Sequence, residues 1–143
     1  MEFSVKLELI CILVLSCFSV HTYACSCIVL PPGKTEAIKY KLEKSQAIFV
    51  GTVTNVSKKD EYTEIATFKV LNPIKGISQS EINLENSGCF SPSIKLGKTL
   101  LIYTDFKNPE LLGTPPTCFE VQSKSTRYES EVKIVTELLK AKT

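Results

Sequence analysis

A mainly β fold, a small closed barrel of about five strands with flanking helices, is what this sequence predicts. Two runs carry that reading: AIFVGTVTNV over Ala47–Val56 and TLLIYT over Thr99–Thr104, both apolar and rich in β-branched residues. Apolar residues at helical spacing occur in two short segments, one before the first run and one at the end of the chain. Strands in sequence with helices at the margins suit a barrel rather than alternating βαβ units.

Taken in order, residues 1–24 read as a secretory leader. Lys6 sits in a short polar start, Leu9–Val20 is apolar, and Thr22-Tyr23-Ala24 places small residues at a cleavage site. The apolar run is shorter than the ~20 residues a membrane span needs. The mature domain is then 25–143, exported, with no transmembrane segment. After Ile28-Val29-Leu30, the Pro31-Pro32-Gly33 break leads to a helix that Thr35 caps and that runs to about Lys44. Ile38 and Leu42 face inward on it, and Lys34, Lys39, Lys41 and Lys44 form its exposed side. Ala47–Val56 is a strand that its glycine, Gly51, bends or bulges. Ser57–Glu61 turns, and Tyr62–Val70 returns as the second arm of a long hairpin. Asn72-Pro73 and Lys75-Gly76 mark a break before a strand near Ser80–Glu85. Thr99–Thr104 is a buried strand, Phe106–Pro116 a loop, and Cys118–Gln122 a short last strand. From Tyr128 the spacing of Val132, Val135, Leu138 and Leu139 predicts a helix to the C-terminus.

Composition excludes much chemistry. The chain has one histidine, His21, which leaves with the leader, and no tryptophan. The mature domain therefore holds no Ser–His or Cys–His nucleophile pair and no His-ligated metal. Glu61 with Glu64, and Glu129 with Glu131, are carboxylate pairs in polar stretches and read as solvated. The glycines are isolated, so no phosphate loop is present. Basic residues are scattered without interleaved aromatics, and the net charge is mildly positive, which does not suggest nucleic acid. The domain reads as a monomer that is not an enzyme and has no cofactor of its own.

Cys11 and Cys17 fall in the leader; Cys25, Cys27, Cys89 and Cys118 remain, an even set that points to two disulfides in an exported chain. Three pairings are possible. Cys25–Cys27 would close a very tight ring and ranks last. The other two each tie the first mature residues to distant points, and each long loop is worth about 4 kcal/mol against the unfolded chain. A Cys₄ zinc site has poor spacing here. Asn55-Val56-Ser57 is an N-glycosylation acceptor on the turn side of the hairpin.

Cys25-Ser26-Cys27 at a cleavage point, Phe49-Val50-Gly51-Thr52 in the first long strand, and the distal Cys89 and Cys118 together resemble the inhibitory domain of the tissue inhibitors of metalloproteinases. The resemblance covers nearly all of 25–143. It implies a netrin-like module on a five-stranded OB-type barrel, and the pairing Cys25–Cys89 with Cys27–Cys118. The family's third disulfide has no counterpart here, and the resemblance implies a single-domain, netrin-like relative. It also implies a partner, a zinc metalloproteinase of the matrix type, whose catalytic zinc the α-amine and carbonyl of Cys25 would chelate. Ser26 would enter the S1′ pocket, Cys27 would anchor the wedge, and Ser87 and Gly88 would run along neighbouring subsites. The hairpin tip around Asn55–Tyr62 would touch the enzyme's rim. The alternatives are a non-inhibitory extracellular netrin-like binding module and a bacterial lipoprotein acylated on Cys25, for which Thr22 stands where leucine is usual.

Overall fold

In the computed structural model the described residues are 30–87, 94–115, 119, 121–122 and 126–141. The mainly β reading holds. Helix α1 (Lys34–Lys44) precedes the strands β1 (Ala47–Lys58), β2 (Thr63–Lys75), β3 (Glu81–Ser87), β4 (Thr99–Thr104), β5 (Phe106–Asn108), β6 (Leu111–Leu112) and β7 (Val121–Gln122), and helix α2 (Thr126–Lys140) follows. All seven strands belong to one mixed sheet in the order β5-β6-β3-β2-β1-β4-β7. Only β3–β6 is parallel; the other pairs are antiparallel.

The closed five-stranded barrel is not what forms. The ladder is open, with β5 and β7 as its ends among the described residues, and it has seven strands. The difference lies in Phe106–Pro116, expected as loop. A single residue, Asp105, separates β4 from β5, and its carbonyl accepts a hydrogen bond from Gly113 N (2.8 Å), while Thr104 Oγ1 donates to Gly113 O (2.7 Å). These bonds turn the chain out of the β1 ladder. The next residues pair instead as β5 with β6, and β6 lies parallel to β3 through Asn83↔Leu111 and Leu84↔Leu112. β4 and β5 are thus neighbours in the chain yet stand near opposite ends of the ladder, so the sheet curls.

The two apolar runs are explained by burial on both faces. Ala47, Phe49 and Val53 of β1 point into an inner core with Phe68, Leu84, Leu100, Ile102 and Leu112. Ile48 and Val50 point the other way, into a cluster with Leu101, Tyr103, Ile38, Leu42 and Val135, supplied by β4 and the two helices. A strand covered on both sides loses its polar alternation and becomes a continuous apolar run. Phe49 meets Phe68 edge-to-face at 5.5 Å and 88° inside the inner core. Where no helix covers the sheet, the period of two returns: β3 alternates exposed Glu81 and Asn83 with buried Ile82 and Leu84.

The bulge expected at the β1 glycine is present, with a register shift between Val50 and Gly51 and others at Ile48/Phe49 and Val53/Asn55. Two expectations are corrected. Thr35 does not cap α1; the cap position is Gly33 at φ 95°, without a side-chain bond, and its carbonyl accepts Ala37 N at 3.1 Å. The turn out of Pro31-Pro32 needs that positive-φ residue, which moves the helix start two residues earlier. Asn72-Pro73 does not end the second strand, which continues to Lys75. β3 pairs only with Thr63–Lys69, so Pro73 lies where β2 has a free side and an absent N–H is tolerated.

The α1–β1 junction is tied down by four hydrogen bonds. Lys75 Nζ donates to Leu42 O (2.8 Å) and Ser45 O (2.5 Å), placing a cation on the carbonyl end of α1. Gln46 N donates to Asp105 Oδ1 (2.8 Å), and Phe106 N to Gln46 Oε1 (3.3 Å). Gly76, at φ +70°, lies so close that a Cβ there would stand 2.3 Å from Gln46 O. Gly76→Ala combines a left-handed backbone with a backbone clash, so a loss of roughly 3 kcal/mol is expected in denaturant unfolding. A loss below roughly 0.5 kcal/mol would mean that the junction is not packed this tightly.

Candidate functional site

Of the residues singled out in the sequence, Cys25, Ser26, Cys27, Gly88, Cys89 and Cys118 lie outside the described residues, as does the leader. Ser87 is described. It ends β3, pairs with Thr63 at the start of β2, and is half-buried. Its hydroxyl shares a 2.8 Å hydrogen bond with Thr114 Oγ1, which ties the end of β3 to the segment after β6. Asn86, one residue earlier, points inward; its Nδ2 donates to Glu64 Oε2 at 3.3 Å, and its buried Oδ1 has no partner among the described residues.

The β1–β2 tip adjoins Ser87 through Thr63. Lys59 N and Asp60 N both donate to Thr63 O (2.9 and 3.2 Å), and Tyr62 N donates to Asp60 Oδ1 (2.9 Å). That bond, with further ones from Thr63, lowers the Asp60 pKa. The turn leaves Tyr62 74% exposed. On the other side of β1, Gly97 N donates to Val53 O (2.8 Å) and Val53 N to Lys98 O (2.9 Å), seating a loop whose Leu96 is 69% exposed. One large apolar side chain thus stands exposed on the β1–β2 tip and another on the loop seated at Val53.

Charge on the outer face centres on Glu85, which binds Lys59 Nζ and Lys107 Nζ, each at 2.8 Å. The Lys107 and Lys59 hydrogen bonds, in that order, hold its carboxyl below the ordinary range, and the same contact raises Lys59.

Sequence reasoning missed a second polar centre. Lys41, expected on the exposed side of α1, is fully buried, and Glu131, expected on a solvated face, is 1% exposed. They form an ion pair between α1 and α2. Tyr103 Oη donates to Glu131 Oε1 (2.9 Å), and Arg127 Nε donates to Glu131 Oε2 (2.9 Å) from one turn earlier in α2. The Lys41 ammonium lies 4.9 Å from the Tyr103 ring centre and 5.9 Å from that of Phe119. Phe119 meets the Tyr103 and Tyr40 rings edge-on at 6.2 and 6.3 Å. Burial, and then the Glu131 carboxylate, push the Tyr103 hydroxyl far above its ordinary range, so it stays a donor. The signal was present: Lys41 falls beside Leu42 and three residues after Ile38, on the apolar stripe of α1, and Glu131 falls four before Val135.

Among the described residues no three or more His, Cys, Asp or Glu gather as a metal site, and no helix is long and apolar enough to cross a membrane. No protein-family model matches the chain, and no curated protein matches it.

Glu131→Ala takes the carboxylate from a buried ammonium and a buried phenol, and a loss of about 3–5 kcal/mol is expected in chemical denaturation. The triple change Lys41→Met, Tyr103→Phe and Glu131→Leu removes these three buried polar side chains together, so its stability is expected within ~1 kcal/mol of the parent or above it. A triple variant as unstable as Glu131→Ala would contradict the charge-pairing account. Glu85 gives a pH test. Its folded pKa is lowered, so its contribution is complete above the unfolded value of about 4.3 and is lost as pH falls through the folded value. Glu85→Gln is expected to flatten the acid limb of the stability-against-pH curve; an unchanged limb would refute the assignment.

Proposed function

We propose that the mature chain is a secreted, netrin-like inhibitor of zinc metalloproteinases, acting through the N-terminal Cys25. Cleavage after Ala24 frees the α-amine of a residue that is itself a cysteine. A purely structural bridge has no need of that amine, whereas a catalytic zinc keeps one coordination position open for such a donor. The amine must be unprotonated to bind, and a free α-amine has a pKa of about 7.7–8.0, which metal competition lowers in effect.

The observation that carries the reading is where the described residues nearest the cysteines are anchored. Leu30, three residues after Cys27, and Phe119, one residue after Cys118, pack in the same helix-side cluster. A chain spans at most about 3.6 Å per residue, so a Cys27–Cys118 bridge is within reach of two fixed points. Ser87, held by Thr63 and Thr114, fixes a third point two residues before Cys89. A parallel β3–β6 pair within an otherwise antiparallel, curled sheet is compatible with a partly open Greek-key barrel of the OB type, which supports the netrin-like class.

In this arrangement the Cys25 amine and carbonyl meet the target's zinc, Ser26 enters its S1′ pocket, and Ser87 and Gly88 lie along the cleft. Tyr62 and Leu96, both exposed, would touch its rim. Two bridges would hold the wedge before binding, which spares the ordering cost that a free strand meets on association.

One added alanine before Cys25 separates this mechanism from a general binding role. The extended protein is expected to keep its circular dichroism and thermal midpoint and to lose at least a hundredfold in inhibition of a matrix-type zinc protease, about 2.7 kcal/mol. Equal potency of extended and native forms would refute zinc chelation by the amine.

A further inference from the structure

The acceptor triplet Asn55-Val56-Ser57 is the only Asn-X-Ser/Thr in the chain whose middle residue is not proline. It lies within β1, not in the turn beyond it. The register shift between Val53 and Asn55 bulges Thr54 out of the ladder, where its Oγ1 donates to Thr67 O at 3.2 Å. After the bulge Val56 returns to the inner core, so Asn55 and Ser57, two apart on a strand, share the outer face, and both are exposed. Among the described residues the Asn55 side chain has no hydrogen-bond partner.

The surroundings of this pair are polar and uncovered. Asn55 stands opposite Thr67, which in turn pairs with Asn83, and the Thr67 hydroxyl donates to Asn83 Oδ1 at 3.0 Å. Both helices pack over Ile48, Val50, Leu101 and Tyr103, at the other end of β1. Among the described residues nothing lies over the outer face at Asn55.

We propose that Asn55 is an N-glycan attachment site, with the sugar standing over the outer strip of β1, β2 and β3 that neither helix reaches. Asn55 Nδ2 attacks C1 of an oligosaccharide carried on a lipid pyrophosphate. The C1–Nδ2 bond forms as the C1–O bond breaks, the lipid pyrophosphate leaves with the electron pair, and Nδ2 gives up one proton. No oxidant or reductant takes part. A sugar here adds a bulky, hydrated group to an already polar strip and displaces no packed side chain. The inference rests on export through a eukaryotic secretory route and does not require protease inhibition.

The test is expression of the full chain in eukaryotic secretory cells, once with residues 1–24 and once with an unrelated leader in their place, followed by intact mass before and after peptide N-glycosidase. The expected result is one sugar chain on the secreted protein, removed by the enzyme with conversion of Asn55 to aspartate. Asn55→Gln and Ser57→Ala abolish it, Ser57→Thr keeps it, and Asn55→Gln leaves the thermal midpoint unchanged. An unmodified Asn55 in protein exported by the unrelated leader overturns the inference. A modified Asn55 from that leader, with no export from residues 1–24, sustains the acceptor site and overturns the export reading instead.

Discussion

The first four residues of β1 have no solvent face, and most of the architecture follows from that constraint. Ala47 and Phe49 must be covered by the curled sheet, Ile48 and Val50 by something outside it. The outside cover is a pair of helices, one before the strands and one after them. The Glu131 carboxylate supplies the registration: it receives Lys41 from α1, Arg127 from α2 and the Tyr103 hydroxyl from β4. Buried ion pairs are seldom a source of net stability compared with well-packed apolar groups. What this one adds is a single arrangement of two helices on a strand, with Phe119 held against the same ammonium and ring.

The sheet was legible where local chemistry and burial agree. The AIFV and TLLIYT runs, the bulging glycine and the two helical stripes each name an element whose burial pattern repeats its sequence pattern. What was not legible depended on contacts between distant residues. Phe106–Asn108 and Leu111–Leu112 are too short to announce themselves, and become strands because Asp105 turns the chain toward β3. Lys41 and Glu131 read as surface charges because each one's partner is some 90 residues away. The candidate site shows the same division. The Cys25-Ser26-Cys27 motif, with its distal cysteines, was visible from spacing, whereas the anchoring of Ser87 by Thr63 and Thr114 needed the fold.

Placed together, these features describe a small domain that is anchored near where the proposed wedge must be held. Its helix-side cluster grips Leu30 and Phe119, and the β3 end is fixed by two threonines. The polar outer strip around Asn55 lies on a separate part of the sheet, away from that cluster. Among the described residues the large exposed apolar side chains are Tyr62, beside the strand end that carries Ser87, Leu96 and Leu71.

The central claim is a free amine on Cys25, presented by two sulfur bridges. Disulfide-mapping mass spectrometry of the natively secreted, unreduced protein tests it most directly. The account requires a first residue of Cys25, with cross-linked peptides joining Cys25 to Cys89 and Cys27 to Cys118. A different first residue, an acylated Cys25, a Cys25–Cys27 ring or free thiols would contradict it.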